Sequence, residues 1–174
     1  DYEIKNAQVK GLKGYPVFTN KQLTDLNYLV TAKRLIECHN LDSSFATHNA
    51  HSIASIMSLS ESSKNKIKFQ RLYGMGELLY SACHSTYKKF PDTTIYCPIG
   101  RHKELLPYLV RRLLENGANS SFVNRFLDKK TPVEELLSDT RNEVMETFPY
   151  EHKMIPVPEL LFESANEPRK NSKG

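Results

Sequence analysis

The chain has 174 residues, 39% of them hydrophobic, with 24 Lys and Arg against 20 Asp and Glu for a formal net charge of +4. That is long enough for one domain with a real core; no apolar run approaches the ~20 residues needed to cross a membrane, and the polar N-terminus is not a secretory signal. So mild a charge permits an anionic cofactor without arguing for nucleic acid, and three cysteines (Cys38, Cys83, Cys97) without metal-ligand spacing fit a reduced cytosolic compartment.

The opening DYEIKNAQVKGL reads as a helix with no strand before it, ended by Gly11, Gly14 and Pro16. Thr19 and Gln22 make a capping-box pattern, T-x-x-Q. Leu26, Leu29, Val30, Ala32 and Ile36 then give the following helix its buried face. Three similar units come next. SSFATHN reads as a strand, and NAHSIASIMSLS as a helix with Asn49 at its N-cap. KIKFQRLYG and GELLYSACHSTYK repeat that order, and so do TTIYCPIG and HKELLPYLVRRLLENG. A strand every ~25 residues with a helix between predicts right-handed crossovers and a parallel sheet, an α/β fold. Pro107 lacks a backbone donor, so the last of these helices is expected to be most regular from Pro107 onward, with Asn116 and Gly117 closing it.

SSFVNRFLD reads as a short helical turn. Thr131, Pro132 and Glu134 form a second capping box, starting a helix that runs to about Phe148. The Pro-interrupted, then strongly polar IPVPELLFESANEPRKNSKG reads as an extended arm and a disordered tail. The chain thus divides into residues 1–150 and 151–174.

In a parallel βα fold, function collects at the carboxyl ends of the strands. Thr47, His48 and Asn49 fall at the first such end, Gln70 and Leu72 late in the second strand, and Tyr96 late in the third. His48 and His51 have no carboxylate or thiol at matching spacing, so a hydrogen bond to a cofactor or a carbonyl is the better reading than a metal. Gln70 reads equally well as a satisfied core amide, and Tyr96 as a core residue. The Gly74-Met75-Gly76 run is too short for a dinucleotide fingerprint and reads as a turn. The sequon at Asn119 is fortuitous in a cytosolic chain.

The last βα helix is more pointed. At ~100° per residue, Tyr108, Arg111, Arg112 and Glu115 share one narrow face, and Leu106, Leu109, Val110 and Leu113 point the other way. Two adjacent guanidinium forks suit a carboxylate or a phosphate. The same spacing also describes a solvated face with an internal Arg111–Glu115 pair. These residues alone therefore leave two functions open: an enzyme that grips an anionic substrate, or a non-catalytic anion-binding or interaction module built on the Arg111/Arg112 face. Two clustered arginines without a stacking platform do not make a nucleic-acid site.

YLVRRLLENGANSSFVNR, with GLKGYPVFT, FATHNAH and FQRLYGMGE in the same order, resembles the proline dehydrogenase domain of the proline utilization A family, over nearly the whole chain. The resemblance implies a distorted (β/α)8 TIM-like barrel that holds FAD and oxidises L-proline to Δ1-pyrroline-5-carboxylate. Arg111 and Arg112 would bind the proline carboxylate, Tyr96 and Tyr108 would enclose the ring, and Leu72 would form an apolar wall. Thr47, His48, Asn49, Gln70 and Glu115 would contact the flavin, with Ser121 and Phe122 near its adenine end. Hydride would pass from the ring carbon beside nitrogen to flavin N5, and electrons onward to a membrane quinone. The family is cytoplasmic and associates peripherally with the membrane when reduced.

The chain departs from the family pattern in supplying only the last three of eight strands. The family's earlier active-site lysine and aspartate, and its strand-five arginine, have no counterpart here. Residues 1–150 are therefore expected to be the C-terminal portion of the barrel domain, and 151–174 an arm leading toward a downstream aldehyde dehydrogenase module. The family's DNA-binding segment has no counterpart in this stretch. Alone, such a piece is expected to be inactive, to bind flavin weakly at best, and to self-associate through its open sheet.

Overall fold

The computed structural model describes residues 2–117, 139–148 and 150–161. The elements are α1 (Tyr2–Lys10), α2 (Lys21–Glu37), β1 (Ser43–Ala46), α3 (Ala50–Ser60), β2 (Ile67–Leu72), α4 (Glu77–Thr86), β3 (Thr93–Tyr96), α5 (His102–Gly117) and α6 (Thr140–Glu146), then a 3-10 turn at Pro158–Leu160. The chain divides into two compact units: Asp1–Tyr28 with Asp139–Gly174, and Leu29–Ser138.

The larger unit is built on a three-stranded sheet in the order β1-β2-β3, parallel throughout. Its register runs from Ser43 opposite Ile67 to Ala46 opposite Gln70, and from Phe69 opposite Thr93 to Leu72 opposite Tyr96. Side chains alternate across a strand. Ser43, Phe45, Ile67 and Phe69 are buried on one side, while Ser44, Ala46 and Lys68 are exposed on the other. Phe69 is the centre of the buried side, with no exposed surface. Phe90 stacks on it at 5.1 Å, Tyr80 meets it edge-on at 6.3 Å and Phe45 lies tilted at 6.5 Å. His84 closes the cluster edge-on to Phe90 at 4.9 Å.

The expected βα rhythm is therefore present: an α/β arrangement of parallel strands with helices between them. Parallel sheets are ordinarily covered on both faces. Here, among the described residues, the outer edges of β1 and β3 carry no partner strand, and β3 exposes Thr94, Ile95 and Tyr96. Among the described residues the sheet is open, an arrangement consistent with part of a barrel. The carbonyl end of α2 is satisfied by side chains from the sheet side of the chain: Ser43 Oγ donates to Leu35 O, and Ser63 Oγ and Asn65 Nδ2 donate to Ile36 O.

The smaller unit is held by polar contacts between distant stretches. Tyr15 accepts from Gln8 Nε2 and donates to Pro156 O at 2.9 Å. Asn20 Nδ2 donates to Tyr150 O, and Pro158 is buried with Ala7. The beginning of the stretch read as an arm is thus tied into this unit, and the tail after Leu161 lies outside the described residues.

Several local expectations fail. The Thr19 box does not form: helix α2 starts at Lys21, and Thr19 Oγ1 accepts from His152 N instead. Val30 is 47% exposed, and the buried face of α2 reduces to Ala32 and Ile36, with Leu26 and Leu29 half-buried. Helix α5, by contrast, spans His102–Gly117 as read from the sequence, with Pro107 inside it. The Thr131 box lies outside the described residues. The helix expected to run from it is not continuous, because Asp139 is extended (ψ 109°) and caps a new helix by accepting from Arg141 N.

Two measurements check this packing. Phe69→Ala should lower the unfolding free energy by about 3–5 kcal/mol in urea titrations, the cost of a large aromatic cavity. Burial pushes the Cys83 thiol above its ordinary pKa, whereas Cys97 is exposed. Iodoacetamide at mildly alkaline pH should therefore alkylate Cys97 first and leave Cys83 unmodified until the chain unfolds; equal rates at the two sites would contradict the buried placement.

Candidate site at the carboxyl ends of the strands

All three strands end toward one concavity. Its lining is Ala46 at the end of β1, Thr47 after it, His48 leading into α3, Leu72 at the end of β2, Met75 in the turn before α4, Tyr96 at the end of β3, and Arg112 from α5; its volume is about 280 Å³. That is slightly below the usual range of about 300–1,000 Å³ for ligand pockets, enough for one ring-sized group.

The chain fixes most of these residues locally. Thr47 Oγ1 accepts from Asn49 N, and Asn49 Oδ1 accepts from His51 N, so a short hydroxyl-amide relay ends the strand and starts α3. His48 Nε2 accepts from Leu72 N at 3.3 Å. An acceptor at Nε2 places the ring proton of the neutral imidazole on Nδ1. The glycine turn determines how close the ring can lie. Gly74 and Gly76 have φ of 78° and 70°, the left-handed region glycine enters without strain. A Cβ built on Gly76 would meet His48 Cδ2 at 2.8 Å.

Helix α5 supplies the charge. Leu105, Tyr108 and Arg112 are half-buried and share one face; they are the half-buried ones among its described side chains. The Arg112 guanidinium carbon lies 5.6 Å from the Tyr108 ring centroid, a cation–π distance one helical turn apart. The expected stripe of Leu106, Leu109, Val110 and Leu113 is exposed, with Leu106 at 58% and Leu113 at 64%.

Of the residues singled out from sequence, Thr47, His48, Leu72, Tyr96 and Arg112 come together in the cavity wall. Arg111 is exposed and lies outside that wall, because adjacent positions on a helix diverge by about 100°. Tyr108 sits beneath Arg112 rather than on the cavity. Asn49 and Gln70 are half-buried and outside the wall, Asn49 committed to its cap and Gln70 O accepting from Tyr80. The side chain of Glu115, and Ser121 and Phe122 altogether, lie outside the described residues. Sequence reasoning missed Ala46 and Met75. The glycines flanking Met75 were legible as a turn, but nothing local said that the turn would face the strand ends. Among the described residues, no group of three or more His, Cys, Asp or Glu could hold a metal ion, and no helix is long and apolar enough to cross a membrane.

The sequence profile of a family described as proline dehydrogenase matches residues 1–125. The bifunctional protein PutA of Klebsiella aerogenes is 45% identical over all of this chain, which spans 14% of that protein. The bifunctional protein PutA of Rhizobium meliloti is 44% identical over all of this chain, again 14% of its own length. A crystal structure of a proline utilization A mutant from Bradyrhizobium japonicum superposes with a TM-score of 0.85 at 45% identity, covering 94% of this chain and 17% of that one. The chain thus spans about one-seventh of the curated relatives it matches.

Gly74→Ala and Gly76→Ala separate backbone strain from the ring contact. Both replace a glycine of positive φ, costing about 1–2 kcal/mol each. Only Gly76 also drives a methyl group into His48, since nothing lies within 4 Å of a Cβ at Gly74. Gly76→Ala should therefore destabilise the chain by about 1–3 kcal/mol more than Gly74→Ala in the same unfolding assay. Equal losses would mean that the imidazole does not press on the turn.

Proposed function

The chain belongs to the proline dehydrogenase family, and we propose that it supplies part of the site at which an FAD-dependent enzyme oxidises L-proline to Δ1-pyrroline-5-carboxylate. The observation that carries this reading is the meeting of Arg112 with His48, Leu72 and Tyr96 in one cavity at the strand ends. A fixed cation above apolar and aromatic walls suits a small ring bearing a carboxylate. The guanidinium fork binds and orients that carboxylate through charge-assisted bonds. Arg111, exposed on the adjacent helix position, would be the second fork. Tyr96, Leu72 and Tyr108 enclose the ring and exclude water.

The donor set also fits the flavin end of FAD. Thr47 and His48 place a hydroxyl and an imidazole at the mouth of β1, beside exposed positions of the sheet. A cavity of about 280 Å³ takes a ring system but not the whole dinucleotide, whose remainder would lie along the strand ends. Asn49, Gln70 and Glu115 would complete the flavin contacts, and Ser121 and Phe122 would lie toward the adenine. Bound flavin supplies the hydride acceptor; the residues of this chain supply orientation and electrostatics.

The full protein would be bifunctional, as its relatives are named, with an aldehyde dehydrogenase module beyond residues 151–174. It would be cytoplasmic, pass electrons to a membrane quinone, and associate with that membrane when reduced. Three strands with unpaired edges do not enclose a cofactor. The isolated chain should therefore show no proline oxidation, bind flavin weakly at best, and associate through the open sheet and the apolar face of α5. Light scattering and a visible spectrum with added FAD test this; a monodisperse monomer carrying tightly bound yellow flavin would contradict it.

In the full-length protein, Arg112→Ala or Arg111→Ala should raise KM for proline by roughly 10- to 150-fold, the loss of a charge-assisted contact of ~1.5–3 kcal/mol. Unchanged KM in both variants, together with salt-sensitive binding of assorted carboxylates and phosphates, would favour a non-catalytic anion-binding module instead.

A further inference from the structure

The geometry points to Tyr80 as a positioning residue that sets the pose of Thr47 and His48 in the cavity without lining it. Its side chain is buried, with 3% of its surface exposed. Two rings met edge-on hold it: Phe69 at 6.3 Å and Phe90 at 6.1 Å. The phenol oxygen is therefore placed by the aromatic core, and it reaches out of that core to two backbone carbonyls. It donates to Thr47 O at 2.9 Å and to Gln70 O at 3.2 Å, one proton shared between two acceptors.

The position of those carbonyls gives the contact its meaning. The β1–β2 ladder ends where Ala46 stands opposite Gln70. Thr47 is the next residue, beyond the last ladder pair, and its carbonyl is bound by the phenol instead. Tyr80 thus clamps the two strands at the point where their own pairing stops. Just beyond that point, His48, which follows Thr47, is joined to β2 through its own bond from Leu72 N.

The same helix holds His48 from a second side. Tyr80 N donates to Gly76 O at 3.0 Å, and Gly76 is the glycine against which the His48 ring lies. The first turn of α4 therefore grips the imidazole through Gly76 and the preceding carbonyl through Tyr80. Thr47 and His48 are adjacent, so both cavity positions are tied to Tyr80 and its helix. The bearing of this clamp on proline oxidation rests on the function proposed above; the clamp itself does not.

The test is Tyr80→Phe in the full chain, compared with Ile36→Val, which removes one methyl from a buried site away from the cavity and lowers stability without touching the clamp. Amide exchange is followed at Leu72 and Tyr73 and at the buried turns of α3, with the ring nitrogen shifts of His48. Tyr80→Phe should speed exchange at Leu72 and Tyr73 by about two- to tenfold relative to α3, the loss of one neutral hydrogen bond, and move the His48 nitrogens. Ile36→Val should raise exchange evenly and leave His48 unmoved. Identical patterns in the two variants would overturn the proposal. Should Tyr80→Phe not fold, 3,5-difluorotyrosine at position 80 keeps the ring and makes the phenol a stronger donor. Slower exchange at Leu72 then supports the clamp, and no change overturns it. The affinity of the full-length protein for FAD is a separate arm: an unmodified protein that binds no flavin would defeat the proposed function, while the exchange result would still decide the role of Tyr80.

Discussion

The burial of Phe69 is the constraint on which the larger unit depends. It lies on the central strand, has no exposed surface, and is touched by rings from β1, from α4 and from the loop after α4. Stacked and edge-on aromatic pairs contribute about 0.5–1.5 kcal/mol each beyond the area they bury. More important here is direction. Two of these rings stand close in sequence to the cavity: Phe45 precedes Thr47, and Tyr80 stands one turn after Gly76. The hydrophobic core and the polar site are two ends of the same few side chains.

The site follows from the topology rather than from any single motif. Parallel strands deliver their carboxyl ends to one side, and beyond the β1–β2 ladder side chains take over from strand pairing, as Tyr80 does at Thr47 O. That handover admits the Thr47 relay, the imidazole of His48 and the glycine turn at residues 74–76. Arg112 arrives from a different element, α5, whose inward face is defined by Leu105 and Tyr108. An anion held there would meet a cation already braced against an aromatic ring, so little side-chain freedom remains to be lost on binding.

The βα rhythm, the Asn49 cap and the turn at Gly74 and Gly76 were legible in the sequence because each depends on neighbours within a few residues. Thr19 shows the opposite case. Its spacing to Gln22 imitates a cap, but its hydroxyl is taken by a backbone group 133 residues away, which no local pattern encodes. The paired arginines illustrate a second limit of a local pattern. Adjacent letters look like one feature, yet a helix turns them about 100° apart, so Arg112 faces the cavity while Arg111 faces outward. Val30 fits the helical stripe and is nonetheless half-exposed, since a stripe predicts which side is apolar and not how wide a strip its neighbours cover. The sequence resemblance supplied the family and the order of the motifs; the wall formed by Ala46 and Met75 became visible only with the chain folded.

Helix α5 serves two surroundings that ask for opposite things. Its Tyr108–Arg112 side needs rigidity, while Leu106, Leu109, Val110 and Leu113 stand open to solvent. Replacing Leu113 by glutamate would make the chain easier to handle in water and would do nothing to the cavity. Wherever that side is seated against another apolar layer, the same change would strand a carboxylate in oil. Solubility and seating therefore select against each other at one position, and a variant chosen for good behaviour in a test tube would be a poor guide to the residue suited to such a seat.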